Sequence, residues 1–160
     1  MSLHVIPANS ADATVVASLI TALTQEICNR TNDQSHFDHN EPLTARLCAR
    51  WIEEGIYTAL LAYSGEQAVG VVTIAESHAL YAEGKIGIIQ ECYVLPQYRS
   101  QSAGSALLEA ALALAPQRGW ACMELCTPPL PEFAGALQFY ERHAFRAVGG
   151  RKMRVRCRAS

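Results

Sequence analysis

Residues 86–108 read IGIIQECYVLPQYRSQSAGSALL, and their reading decides the fold. The near-continuous apolar run over 86–94 has the pattern of a strand buried on both faces. Pro96 closes it, a short polar loop follows, and a helix begins near Gly104 with Leu107 and Leu108 on its apolar face. The first N–H groups of such a helix have no intrahelical partner and carry the positive end of its dipole. A loop of small residues lets an anionic group come close to those donors. Arg99, Ser100, Gln101, Ser102, Ala103 and Gly104 therefore have the make-up of a pyrophosphate cradle. An ordinary strand–helix turn with a polar loop explains the same residues equally well.

Outward from this unit the order of elements is mixed α/β, with helices grouped early. Residues 3–6 read as an opening strand. Ser10 or Asp12 can cap a helix whose Val15, Leu19, Leu23 and Ile27 recur at helical spacing. Residues 29–40 are polar and read as a loop. A second helix starts at Glu41, carries Leu43, Leu47, Cys48 and Trp51, and stops at Gly55. Residues 57–63 and 68–75 read as strands about a turn at Ser64, Gly65 and Glu66, and 77–84 as a polar connection. Downstream, the helix over 103–115 is followed by Gly119 and a short strand at 121–126. Pro128, Pro129 and Pro131 interrupt the chain, and Pro131 suits the first turn of a helix ending near His143. Residues 145–148 and 152–157 are expected as final strands about Gly149 and Gly150. No internal repeat or low-complexity linker breaks this order.

The chain has 160 residues, 50% of them hydrophobic and 18% charged, with a formal net charge of -2. A domain of this size buries about two-thirds of its unfolded surface, so one globular core is expected and wholesale disorder is excluded. No apolar run reaches membrane-span length, and no basic stretch precedes an apolar one at the start. A pI near 6.2 argues against a nucleic-acid binder. A cytoplasmic protein with neither a membrane nor a nucleic-acid partner is the expectation. Cys28, Cys48, Cys92, Cys122, Cys126 and Cys157 form no C-x-x-C pair, and several sit in apolar stretches. They read as buried, reduced thiols rather than as a disulfide framework or a zinc site, and no metal is expected.

The 86–108 segment resembles the cofactor-binding motif of the GNAT family of N-acetyltransferases. That motif is Val-x-Pro-x-x-Arg, its Arg shared with a following Gln/Arg-x-x-Gly-x-Gly/Ala. Val94, Pro96, Arg99 and Gly104 match, and Ser102 stands in place of the first glycine. Residues 136–145, ALQFYERHAF, give a second match to the family's Asn-x-x-Ala-x-x-Phe-Tyr-x-x-x-Gly-Phe, with Phe133 at the Asn position and Ala144 at the Gly. If the backbone at 144 is left-handed, alanine there costs about 1 kcal/mol. The two motifs stand in the family's order, with one short strand between them.

The resemblance implies one N-acetyltransferase domain over 1–160, built on a twisted mixed sheet in which two parallel strands splay apart. It implies acetyl-CoA as co-substrate. Backbone groups of Cys92, Tyr93 and Val94 would meet the pantetheine and acetyl carbonyl. N–H groups from Arg99 through Gly104, with Ser105, would hold the pyrophosphate. The implied reaction, attack of an amine on the thioester, needs a base, a donor for the developing negative oxygen and a proton for the leaving thiolate. Glu91, a carboxyl in an apolar strand near the expected acetyl position, is the candidate base, acting directly or through a water. Pairing with an arginine such as Arg151 or Arg154 accounts for it equally. Tyr140 is the candidate acid, because the Tyr of the family's Phe-Tyr commonly points at the sulfur. Read without the resemblance, it is a core residue of an amphipathic helix.

Cys92 lacks an evident histidine partner and reads as a packed thiol. His36 and His39 lie in a polar loop and do not make a metal pair. Residues 29–41, with Asp33, Asp38 and Glu41, could draw in a cationic amine, although a solvated loop accounts for them as well. Glu76, His78, Tyr81, Glu83 and the proline-rich 127–133 are further acceptor-wall candidates. A small-molecule amine acceptor is favoured because no basic surface or appended domain is present to dock a large partner. The family frequently forms homodimers through sheet edges or final strands, and the arginines of 151–158 fit that or a solvated edge. A domain of this fold that binds acyl-CoA or another ligand without transferring anything is the alternative, kept open by Ser102, Phe133 and Ala144.

Overall fold

The protein is described by a computed structural model covering residues 2–34 and 39–157. These fall into two compact units, residues 1–125 and 126–160. The first holds a five-stranded sheet in the order β1-β2-β3-β4-β5, made of β1 (Leu3–Pro7), β2 (Tyr57–Ser64), β3 (Gln67–Ala79), β4 (Gly84–Val94) and β5 (Trp120–Leu125). Neighbouring strands are antiparallel except β4 and β5, which run parallel and are joined through helix α3 (Ala103–Arg118). Helices α1 (Ala13–Thr31) and α2 (Glu41–Glu53) precede β2.

The sheet is layered because its strands are apolar on both faces. Alternate residues Ala59, Leu61, Val71 and Tyr93 form one core cluster with Val16 and Leu19 of α1 and Cys48 of α2. The intervening Leu60, Ala62, Val72 and Ile74 are equally buried, as are Leu107, Leu108 and Ala111 of α3. Runs of buried residues in β2 and β3 follow from helices packing on both sides.

Several boundaries differ from the sequence expectation for local reasons. Asn9 is the true cap upstream of α1: its side chain accepts from the Ala11 N–H (2.9 Å), and Asp12 accepts from the Asn9 N–H (2.9 Å), which closes a capping box around residues 10–12. Residues 77–79, too polar to read as strand, extend β3 because Ser77, His78 and Ala79 pair with Ile86, Lys85 and Gly84. The connection shrinks to a single turn of 3-10 helix, Leu80–Ala82. Of the cysteines, Cys28 and Cys48 are buried as expected, whereas Cys122, Cys126 and Cys157 are exposed.

Gly87 shows how tightly β4 and β5 are joined. A Cβ there would lie 2.6 Å from Cε3 of Trp120. The indole cannot yield freely, since its Nε1 donates to Glu76 Oε1 (2.8 Å) and its ring is buried. Gly87→Val is therefore expected to lower unfolding stability by about 1–3 kcal/mol, read as a fall in urea midpoint at constant slope.

The second unit carries α4 (Ala134–Arg142). It begins at Ala134 rather than at Pro131, and Ala144 follows it in the left-handed region at φ 69°. The strands expected at 145–148 and 152–157 are not formed: the described residues there have no ladder, and Val148, Met153 and Val155 are exposed. An alternating pattern marks a segment that could pair but does not supply a partner edge.

Candidate active site

The site begins with a defect in β4. Ile89 pairs with Ile74 and Glu91 with Thr73, so Gln90 is an extra residue with no counterpart in β3. A bulge bends its strand and sharpens the local twist. At the same point β4 parts from β5, whose last paired residue, Leu125, stands opposite Ile89. Beyond it, residues 90–94 run on beside β3 alone within the sheet.

Backbone direction along this stretch follows from two hydrogen bonds. The Glu91 N–H donates to Thr73 Oγ1 (3.0 Å), and the Leu95 N–H donates to the Val69 carbonyl (2.8 Å). Both point toward β3. By alternation, the backbone groups of Cys92 and Val94 lie on the opposite side, where β5 has turned away. Tyr93 instead sends its side chain toward α1, where its hydroxyl donates to Glu26 Oε1 (3.3 Å).

Beyond β4 the chain makes a 3-10 turn, Pro96–Gln101, and enters α3 at Ser102. Ser102 has φ 67° and ψ 13°, the left-handed geometry a glycine would adopt without cost. The first α3 backbone bond runs from the Ala106 N–H to the Ser102 carbonyl (3.0 Å), which leaves the N–H groups of Ala103, Gly104 and Ser105 without an intrahelical acceptor. This is the arrangement expected of a cradle for an anion.

Arg99 is committed inward. Its Nε donates to the Val94 carbonyl (3.0 Å), its Nη2 to Glu26 Oε1 (2.7 Å), and its guanidinium lies 5.4 Å from the centre of the Tyr93 ring. Burial pushes the Glu26 carboxyl up, but the hydrogen bonds and charges of Arg99 and then Arg30 outweigh it and hold it below the ordinary range. The side chain of Arg99 thus ties the loop to β4 and α1.

Glu91 lies on the sheet face shared by Thr73 and Tyr57. Its Oε1 accepts from the Tyr57 hydroxyl (2.5 Å) and from the Thr73 hydroxyl. Among the described residues of the first unit it makes no ion pair. Neither Tyr57 nor Thr73 stood out in the sequence. Burial first, then the neighbouring Glu91 carboxylate, drives the Tyr57 phenol far above its usual range, so it remains a proton donor. Cys48 of α2, pushed up to about 11 by burial and by Glu91, remains a thiol.

The structure therefore brings Glu91, Cys92, Val94 and residues 99–105 to one end of β4. Tyr140 belongs to the other unit, in the last turn of α4, where its ring meets Phe139 (5.3 Å) and Phe145 (6.0 Å) edge-on. The proposed acceptor walls are partly engaged: Glu41 accepts from Thr21 (2.5 Å), Glu76 faces Trp120 and Lys85, and Tyr81 donates to Glu124 (2.8 Å). His36 and Asp38 lie outside the described residues. Among the described residues no helix is long and apolar enough to cross a membrane.

Comparison with known proteins agrees with this geometry. No curated protein matches the chain. Among solved structures, a ribosomal-protein-alanine N-acetyltransferase from Brucella melitensis biovar Abortus superposes with TM-score 0.72 at 18% identity, covering 96% of this chain and 99% of that one. A predicted acetyltransferase from Clostridium acetobutylicum, solved with acetyl-CoA, gives 0.77 at 14% identity over 96% of each chain. An aminoglycoside acetyltransferase from an uncultured soil metagenomic sample gives 0.70 at 19% over 100% of both. At such identities the likeness is one of fold. The model of the acetyltransferase (GNAT) family matches residues 24–145, most of the length, including both 86–108 and 136–145. The chain belongs to the GNAT acetyltransferase family.

Proposed function

We propose that this chain is an acetyl-CoA-dependent N-acetyltransferase that transfers an acetyl group directly to a primary amine of a small-molecule acceptor. The observation that carries the reading is the placement of Glu91, an oriented carboxylate at the point where β4 leaves β5. Acetyl-CoA supplies an acyl group activated as a thioester. The Cys92 and Val94 backbone would receive its pantetheine as an added strand, and the N–H groups of residues 99–105 its pyrophosphate.

In the reaction, the neutral amine nitrogen attacks the thioester carbonyl and a C–N bond forms. Glu91 takes the proton the nitrogen must lose, directly or through a water. The C–S bond then breaks, and the thiolate takes a proton from the Tyr140 phenol. Tyr140 enters this scheme on the correspondence of Phe139 and Tyr140 to the family's Phe-Tyr. We read residues 1–160 as one such domain, and the reaction as written calls for no metal. A small acceptor is supported by the aminoglycoside acetyltransferase among the similar folds, while the ribosomal-protein-alanine enzyme makes a peptide amine the proper comparison.

Titration calorimetry with acetyl-CoA, beside a thermal melt, tests the cradle. At a hundredfold excess over Kd the ligand adds about 2.7 kcal/mol, which raises Tm by about 5–10 °C for a chain of this size. Thiol release is then measured against a polyamine, an aminoglycoside, an amino-acid amide and an alanine-terminated peptide. Saturable binding with release to a small amine is expected. Binding without release to any amine would leave a domain that holds acyl-CoA and transfers nothing, and absence of binding at millimolar acetyl-CoA would overturn the reading.

A further inference from the structure

We propose that Tyr57 and Thr73 are positioning residues that fix Glu91 Oε1 with two donated hydrogen bonds and direct its incoming proton to the outer oxygen, Oε2. The inference rests on the base role assigned to Glu91, but its geometry stands by itself. Thr73 of β3 stands opposite Glu91 of β4, Tyr57 at the start of β2 pairs with Ala75 and reaches them diagonally on the same face, and two hydroxyls reach a single carboxylate oxygen.

Counting hydrogens and comparing distances gives the direction of each bond: the Tyr57 hydroxyl lies 2.5 Å from Glu91 Oε1 and 3.3 Å from Thr73 Oγ1, so the carboxylate is its nearer acceptor. The Glu91 N–H has only one role available, donation to Thr73 Oγ1 (3.0 Å). Thr73 then spends its single hydrogen on Oε1, and Tyr57 spends its own there too. Oε1 is thus supplied by two donors and could accept a proton only if one of them turned away. Among the described residues no hydrogen bond reaches Oε2. A proton arriving at Glu91 therefore belongs on Oε2.

The donors are themselves secured. The Tyr57 ring packs against Trp51 of α2 with centroids 5.3 Å apart, and its phenol stays protonated for the reasons given above. Cys48, the titratable group facing this cluster from α2, stays neutral as well.

The test needs no acceptor. In protein labelled with 13C at glutamate side chains, Glu91→Gln identifies the Glu91 carboxyl resonance by its loss. Tyr57→Phe and Thr73→Val are each expected to move the titration midpoint of that resonance upward by about one pH unit, a tenfold change in proton affinity. Thr73→Ser, which keeps the hydroxyl, is expected to leave it near the parent value. Should Tyr57→Phe fail to fold, the Val and Ser variants of Thr73 carry the comparison. With any amine that releases thiol, Tyr57→Phe should also lower kcat while leaving the KM for acetyl-CoA unchanged. Midpoints that stay at the parent value in both Tyr57→Phe and Thr73→Val would overturn the inference. A moved midpoint together with an acidic limb of kcat/KM that survives Glu91→Gln would uphold the hydrogen-bond assignment and remove Glu91 as the base.

Discussion

Glu91→Gln is expected to lower kcat/KM by about 10²–10⁴-fold, the usual worth of a positioned proton acceptor. The substitution is sharper here than at most carboxylates because of what it preserves. A glutamine placed in the same rotamer keeps a carbonyl oxygen at the Oε1 position, where it still accepts from Tyr57 and Thr73. The sheet face and the pairing of β4 with β3 are unaffected, and acetyl-CoA affinity, which the proposed function assigns to the backbone of Cys92, Val94 and residues 99–105, should stay at the parent value. What changes is the outer position, where an amide nitrogen replaces the oxygen proposed to take the proton. The acidic limb of the pH profile should vanish along with the rate, and it should do so whether the amine is deprotonated directly or through a water. An acidic limb that persists in the variant would place the base elsewhere.

The legible and illegible parts of this site separate along one physical line, between what neighbours in sequence decide and what register decides. The strand, loop and helix over 86–108 could be read because hydrophobic run, Pro96 and small residues act locally, and the structure places β4, the 3-10 turn and α3 there. The cost flagged for alanine at position 144 and the replacement of the first glycine by Ser102 were local questions too. Both residues have positive φ, 69° and 67°, and hold it without glycine, at about 1 kcal/mol each by the usual preference. The partners of Glu91 were out of reach. Tyr57 and Thr73 are 34 and 18 residues away, and only the bulge at Gln90 brings Glu91 opposite Thr73. A register one residue different would have turned Glu91 to the opposite face. Arg99 shows the same limit: its sequence context marked it as part of a phosphate loop, while its side chain is spent on Glu26, 73 residues earlier. The final strands failed in the reverse sense, since alternation in 152–157 announced a pairing that no edge in the described residues supplies.

Tyr140→Phe is expected to lower kcat by about 10²-fold and to remove the alkaline limb of the profile, with little change in the KM for acetyl-CoA. The variant deletes one oxygen and keeps the ring that packs edge-on between Phe139 and Phe145, so the packing of α4 against its own following residues is retained. A fall in Tm would assign Tyr140 to structure. A fall in kcat at constant Tm would assign it to the chemistry, because a leaving thiolate without a proton source returns to the acyl carbon more readily than it departs. The two limbs are separable in the double variant. If Glu91 and Tyr140 serve opposite ends of one bond exchange, removing both should cost less than the product of the single losses, because the second loss falls on a reaction already deprived of its concerted path. Losses that multiply would mean that the two residues act in separate steps, with Glu91 governing amine attack and Tyr140 governing expulsion of the thiolate. An unchanged kcat and alkaline limb in Tyr140→Phe would instead assign protonation of the sulfur to solvent.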